Sequence, residues 1–248
     1  MTVLGLDTAT ATAGIALVDD AGRVVAEVRH ATSGRGADLL VAIDELCRAA
    51  GVAPAQLSGI AIGAGPGSFT GLRIGMATAK GIAFAAGRPL WAVSSLAALA
   101  DDALAALAGE LLLVHADGVI CAALDARRGE VYAGCFRHGA SLGPERVMPP
   151  AELGPWVAEL ARAAAGGEPA RPVSFAGDAI DAHPALAPLA AEHTWLAART
   201  PSGRAVASLA LAGARVDITL GGAPTYIRPS EAEVKYPDGV PGALPRRT

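Results

Sequence analysis

The residues best suited to chemistry fall in three short stretches. The first, Asp7-Thr8-Ala9-Thr10, lies between two apolar runs. In such a turn, backbone amides and hydroxyls can approach a phosphate, and a carboxylate can hold a metal-bound water. The same residues equally suit a tight turn in which Asp7, Thr8 and Thr10 satisfy backbone groups. The second stretch, Gly63-Ala64-Gly65-Pro66-Gly67-Ser68-Phe69-Thr70-Gly71-Leu72-Arg73, separates a strand-like run from a helical one, the usual place for a phosphate-cradling loop. Its spacing is not a Walker A loop, because no Gly-Lys-Ser/Thr closes it. Nor is it GxGxxG, because Ser68 stands at the third glycine position. A structural role needs no ligand: Gly65 and Gly67 permit backbone angles that other residues resist, Pro66 stiffens the loop, and Thr70 can cap a helix starting at Leu72.

The third stretch, Asp125-Ala126-Arg127-Arg128-Gly129-Glu130-Val131-Tyr132, connects two strand-like runs. Its charges fall on a hairpin tip, where mixed charge is ordinarily solvated. Nothing else assembles a self-sufficient catalytic set. The five histidines, His30, His115, His138, His183 and His193, show no HxxxH or HExxH spacing, the pattern that places two imidazoles on one helical face for a metal. Cys47, Cys121 and Cys135 share no CxxC spacing and sit in apolar settings, as reduced core thiols do.

These stretches need elements to hold them. Thr2 to Leu6 and Gly14 to Val18 read as two strands joined by a tight hairpin, and Val24 to Arg29 as a third after the turn Asp19-Asp20-Ala21-Gly22. Leu39, Leu40, Ile43, Leu46 and Cys47 recur at helical spacing between Asp38 and Ala50. Gly59 to Gly63 reads as a fourth strand and Leu72 to Ala86 as a second helix. Leu90 to Val93 forms a fifth strand, with Ser94 or Ser95 capping a helix over Leu96 to Leu107. The order is βββαβα and onward. A weaker repeat follows, with strands near Val119–Leu124, Val131–Phe136 and Val173–Phe175, and helices near Ala151–Ala165 and Pro201–Arg215. The expected organisation is two α/β lobes, 1–108 and 109–228, and a proline-bearing tail over 229–248 whose end is expected to be disordered or loosely draped. Gly75, Ala79 and Ala83 form a small-residue stripe that lets another helix approach closely.

Apolar residues make up 52% of the 248 and charged residues 18%, which suits a globular chain with a substantial core. Mean hydropathy is +0.39, but no uninterrupted apolar run reaches spanning length and no basic-then-apolar leader opens the chain. A cytoplasmic protein without membrane contact is expected. A net charge of −4 argues against a global field that captures nucleic acid.

Read together, four segments resemble the bacterial TsaB (YeaZ) family of the glycoprotease M22-like, actin/Hsp70-like superfamily. They are Leu4-Gly5-Leu6-Asp7-Thr8-Ala9-Thr10, the run from Gly65 to Gly75, Asp125 to Tyr132, and Pro224-Thr225-Tyr226-Ile227-Arg228. The resemblance spans about residues 2 to 236 in the family's order. It implies two ribonuclease-H-like (actin/Hsp70-like) lobes, each a mixed sheet with flanking helices. It implies, too, an accessory role with no catalytic residue, metal or cofactor of its own. TsaB pairs with the catalytic TsaD, which carries the metal ligands, and with the ATPase TsaE, so that ATP and Mg belong to the partners. The complex moves threonylcarbamoyl onto a tRNA adenosine.

By the same resemblance, docking to TsaD, or to a second copy as a homodimer, uses the two helices near 36–50 and 72–86. Leu39, Leu40, Ile43, Leu46, Leu72, Gly75, Met76, Ala79 and Ala83 are the expected contact residues. Arg35 and Gly36 stand where the family commonly has His followed by Ser or Thr. An autonomous actin-like ATPase or kinase using Asp7, Thr8 and the Gly65–Gly71 loop is the alternative. A glycoprotease would need a metal or nucleophile that these motifs do not supply.

Overall fold

The computed structural model describes residues 1–31, 36–109, 118–166 and 172–227. Arg35, Arg228 and the tail 229–248 lie outside them. Strands β1 (Thr2–Asp7), β2 (Thr12–Asp19) and β3 (Val24–Ala31) form the expected meander, with Leu4 opposite Leu17 and Leu6 opposite Ile15. Helix α1 (Gly36–Ala49) leads to β4 (Leu57–Gly63), which lies parallel to β1. Helix α2 (Phe69–Ala86) then returns the chain to β5 (Leu90–Val93), parallel to β4. This sheet reads β5-β4-β1-β2-β3.

Side-chain alternation assigns its two faces. Leu4, Leu6, Ile15, Leu17, Ile60 and Ile62 meet α1 and α2 on one face. Val3, Ala16, Val18 and Ala61 point to the other. Both faces are covered, so β1, β2 and β4 are apolar almost throughout instead of alternating with polar residues.

Helix α3 (Ser95–Gly109) opens onto the second lobe. There, β6 (Val119–Asp125) and β7 (Val131–Arg137) pair as a hairpin, flanked by the short strands β8 (Ala140–Ser141) and β9 (Arg146–Met148). Helix α4 (Pro150–Ala165), β10 (Val173–Ala176), the short helices α5 (Ala179–Ala182) and α6 (Ala187–Glu192) and β11 (Thr194–Trp195) complete it. With β10 parallel to β6 and β11 parallel to β10, the order β11-β10-β6-β7 reproduces β5-β4-β1-β2. The weaker repeat in the sequence is a repeat of topology, in which the counterpart of α2, between β10 and β11, is broken into the short helices α5 and α6 with a 3-10 turn at Pro184–Leu186 between them. Two ribonuclease-H-like lobes result, as expected.

The lobe boundary does not follow chain order. Helix α7 (Gly203–Leu211) and strand β12 (Val216–Asp217) return to the first sheet, β12 pairing with β5. Ala205, Val206, Ala207 and Ala210 of α7 bury against Val3, Ala16 and Ala61. Reciprocally, Leu96, Leu99, Ala103 and Leu107 of α3 bury against Ile120, Leu124, Tyr132 and Phe136 of the second sheet. Each half's last helix covers the other half's sheet, which corrects the division into 1–108 and 109–228. Local periodicity reports that a helix has an apolar stripe but not which sheet receives it. Asp102 fastens the exchange. Its carboxylate accepts from the Ser202 amide at 2.7 Å and hydroxyl at 2.6 Å, and from Arg204 at 2.6 Å.

Helix boundaries also differ from expectation at one informative place. Helix α2 begins at Phe69, not Leu72, and its cap is Ser68, whose Oγ accepts from the Gly71 amide at 3.3 Å; Thr70 is already inside the helix. Of the two serines before α3, Ser94 takes the capping position, accepting from the Ala97 amide at 3.1 Å. All three cysteines are free and buried. Among the described residues no helix is long and apolar enough to cross a membrane.

The approach of α7 to the first sheet depends on missing side chains. A Cβ on Gly5 would stand 2.0 Å from the Gly203 carbonyl oxygen, and one on Gly203 would stand 2.4 Å from the Ala16 amide nitrogen. Backbone cannot yield as a side-chain tip can, so Gly5→Ala must push α7 off the sheet. We expect it to lower the unfolding free energy by about 3 kcal/mol, measured by urea titration; a change within experimental error would mean that α7 is free to shift.

Candidate functional site

The first two stretches singled out by sequence meet in space. Asp7 ends β1 and is fully buried. Its Oδ1 accepts from the Ala9 amide at 2.8 Å and its Oδ2 from the Ser95 hydroxyl at 2.6 Å. Ser95 in turn ties the glycine-rich loop: its amide donates to the Gly65 carbonyl at 2.8 Å, and its Oγ accepts from the Gly65 amide at 3.2 Å. Any Cβ on Gly63 would lie 1.8 Å from the Asp7 carboxylate. One carboxylate therefore joins the end of β1, the loop after β4 and the first turn of α3.

The hairpin turn is equally enclosed by α2. Thr8 donates its hydroxyl to the Gly71 carbonyl at 2.9 Å, and the Ser68 amide donates to the Ala9 carbonyl at 2.7 Å. Added Cβ atoms at Gly67, Gly71 and Gly75 would come within 2.5, 2.2 and 2.1 Å of Ala9 or Thr8. Thr10 closes on the Thr12 carbonyl at 2.9 Å. Of the two sequence readings of Asp7-Thr8-Ala9-Thr10, the geometry matches the self-satisfied turn.

The C-terminal motif joins them. The Thr225 amide donates to the Ala64 carbonyl at 2.6 Å, and the Tyr226 ring lies 5.1 Å from that of Phe69. Arg73 places its guanidinium 3.9 Å from the centre of the Phe69 ring while its Nε donates to the Tyr226 hydroxyl at 3.3 Å. Three of the four motifs thus form one packed unit. The fourth occupies the corresponding hairpin of the second lobe. Arg127, Arg128 and Gly129 take positive φ of 61°, 55° and 78° at its tip. Asp125 lies 3.0 Å from His183 Nε2, accepts from the Arg127 amide at 2.8 Å and pairs with the Arg127 guanidinium at 3.3 Å, while Asp178 accepts from the Asp125 amide at 2.9 Å. The Glu130 amide closes the tip on the Arg127 carbonyl at 3.1 Å. Ala9 and Ala126, one from each hairpin, share a buried cluster with Leu72 and α3.

Sequence reading missed His183, Asp102 and Glu145. Glu145, from the loop before β9, accepts a short hydrogen bond from Ser94 across the lobes. No local pattern marks these residues, because their partners lie 51 to 102 positions away. The expected contact face needs correction too. Leu39, Ile43, Leu46, Leu72, Gly75, Met76, Ala79 and Ala83 are buried within this chain. The small-residue stripe faces the hairpin and the sheet, because helical periodicity identifies the inward face just as readily as an interface. Only Leu40 stays exposed, at 51%, beside Val41 at 56% on α1, with Phe84 of α2 at 92%.

Burial pushes the Asp7 pKa up from 3.8 to about 6 against the pull of the Ser95 and Ala9 hydrogen bonds; Asp102 adds to the rise and Arg29 opposes it. Burial likewise raises Glu145, opposed by Ser94, and raises Asp178. For Asp7 the sign is definite. Below pH 3.8 both folded and unfolded chains hold the proton; between there and about 6 only the folded chain keeps it, so stability falls as pH rises through that window. The loss is about 3 kcal/mol. Asp7→Asn should flatten that segment of the stability–pH curve, measured by urea titration from about pH 3.5 to 7; an unchanged slope would place the titration elsewhere.

With that geometry in hand, the relatives are informative. The family model described as "TsaD: tRNA N6-adenosine threonylcarbamoyltransferase" matches residues 30–236. The tRNA threonylcarbamoyladenosine biosynthesis protein TsaB of Bacillus subtilis is 32% identical over 95% of this chain and 98% of its own length. The Escherichia coli protein of the same name is 35% identical over 53% of each chain. The solved structure of YeaZ from Pseudomonas aeruginosa superposes with a TM-score of 0.70 at 30% identity, over 91% of this chain and 99% of that one. With the two-lobed actin/Hsp70-like topology and the packed motifs, these similarities place the chain in the TsaB (YeaZ) family, within the broader family that bears the name of TsaD.

Proposed function

We propose that this chain is an accessory subunit in the biosynthesis of threonylcarbamoyladenosine in tRNA, binding and supporting the transferase TsaD without performing the transfer. The pathway is the one carried in the names of its Bacillus subtilis and Escherichia coli relatives. The observation that supports a non-catalytic role is the enclosed first hairpin: both Asp7 oxygens and the Thr8 hydroxyl are engaged by the chain's own backbone and by Ser95. The Thr8 hydroxyl has one proton to donate, and the Gly71 carbonyl takes it, while two of the acceptor sites of the buried Asp7 carboxylate serve Ser95 and the Ala9 amide. ATP and Mg accordingly belong to the partners, TsaE among them, and tRNA is reached through the complex.

Docking uses the outward face of α1 and α2. On α2 the exposed residues Arg73, Ala77, Gly81 and Phe84 recur at helical spacing, and on α1 Leu40 and Val41 stand out. Large apolar side chains left this exposed are the usual anchors of a partner surface, and the same face would serve a homodimer that competes with TsaD.

Reconstitution tests the reading: TsaD, TsaE, threonylcarbamoyl-adenylate and tRNA should transfer only when this chain is added, and the isolated chain should neither transfer nor bind Mg-ATP by calorimetry. Full transfer without it, or tight Mg-ATP binding that Asp7→Ala abolishes, would favour the autonomous ATPase or kinase. For the docking face, Phe84→Asp combined with Leu40→Asp should weaken TsaD binding at least about 30-fold while changing stability by under about 0.5 kcal/mol. Wild-type affinity in the folded double variant would move the interface elsewhere.

A further inference from the structure

Two of the three cysteines confront each other across adjacent strands. Cys121 of β6 and Cys135 of β7 are direct partners in an unbroken register. At the tip of that hairpin the Ala126 amide donates to the Glu130 carbonyl at 2.9 Å, which makes 126 and 130 a hydrogen-bonded pair. Hydrogen-bonded and open pairs alternate along an antiparallel ladder. Counting back from 126, Cys121 and Cys135 fall on an open pair. The carbonyl of Cys135 agrees, since it turns away from β6 and accepts from Leu142 at 2.8 Å. In an open pair the Cα atoms stand about 4.5 Å apart and the side chains are at their closest, inside the range that a disulfide spans. Both thiols enter the same core, beside Trp156, Val157 and Phe175. Cys47 lies in the other lobe's core, on α1.

We propose that Cys121 and Cys135 form a covalent modification site, a dithiol that a low-molecular-weight disulfide converts into one cross-strand disulfide. The exchange balances. One cysteine loses its proton to solvent and its sulfur attacks the oxidant, forming a mixed disulfide and expelling one thiolate. The second cysteine, likewise deprotonated, attacks the protein sulfur of that mixed disulfide and expels the second thiolate. Two protein thiols are oxidised, one external disulfide is reduced to two thiols, and the two protons released are taken up by the leaving thiolates.

The site is slow by construction. Burial raises the Cys121 pKa well above its ordinary value, and the hydrogen bond with Cys135 raises it further. The thiolate forms only when the hairpin or α4 opens locally. The same burial shields the product. The new bond would staple β6 to β7 below the tip that carries Asp125, Arg127 and Glu130, closing a short loop and restricting the unfolded chain.

The test uses the full folded chain in a glutathione disulfide buffer, followed over hours with acid quench, alkylation and peptide mass mapping. The expected result is a single 121–135 cross-link, loss of two of the three thiols with Cys47 still alkylatable, and a rise in Tm of about 5 °C that dithiothreitol reverses. Cys47→Ser should form the same link. Glutathione adducts on single cysteines, links through Cys47, or a cross-link that appears only in denaturant would overturn the proposal.

Discussion

A buried carboxylate with both oxygens occupied holds this molecule's centre together. Asp7 could lie in a loop, exposed and inexpensive; instead it is sealed between the end of β1, the first turn of α3 and the glycine-rich loop. Burying an ionisable group is costly; the hydrogen bonds from Ser95 and the Ala9 amide offset part of that cost, and burial still prevails, holding the Asp7 pKa up at about 6. The arrangement tolerates nothing larger than hydrogen at Gly63, and at Gly67, Gly71 and Gly75 on the adjoining loop and helix. The motif residues form a set because each needs the others' absence of bulk.

From that centre the exchange of helices follows. α3 starts at Ser95, beside Asp7, and runs onto the second sheet; α7 comes back over Gly5 and covers the first. The lobes are therefore interlocked by two helices and by Asp102, which engages Ser202 and Arg204. Ser94 and Glu145 add a polar link between them. The two hairpin tips pack around a shared apolar cluster containing Ala9, Leu72 and Ala126. Such packing ties the two hairpins to one core.

The outer surface of α1 and α2 differs from the stripe that sequence periodicity suggested. Gly75, Ala79 and Ala83 are small because Thr8 and the sheet press against them. Phe84, Leu40 and Val41 are large, apolar and exposed. Periodicity finds both faces of a helix, and only burial tells which one the chain has already used.

The sequence by itself determined the strand and helix order, the meander of β1 to β3 and the topological repeat, because apolar periodicity and glycine or proline breaks act over a few residues. It carried the family in four short motifs, since those residues are held by backbone contacts that few substitutions satisfy. Tertiary structure alone decided that three motifs meet, that Ser94 caps while Ser95 serves Asp7, and that each terminal helix covers the opposite sheet. It also brought His183 to Asp125 and Cys135 to Cys121. Hydrogen bonds such as Ser94–Glu145, Asp125–His183 and Asp102–Ser202, between residues 51 to 100 positions apart, leave no trace in local spacing, and the register that faces Cys121 with Cys135 is set by the pairing of β6 with β7. They arise when closed loops bring chemically ordinary residues into the same small volume.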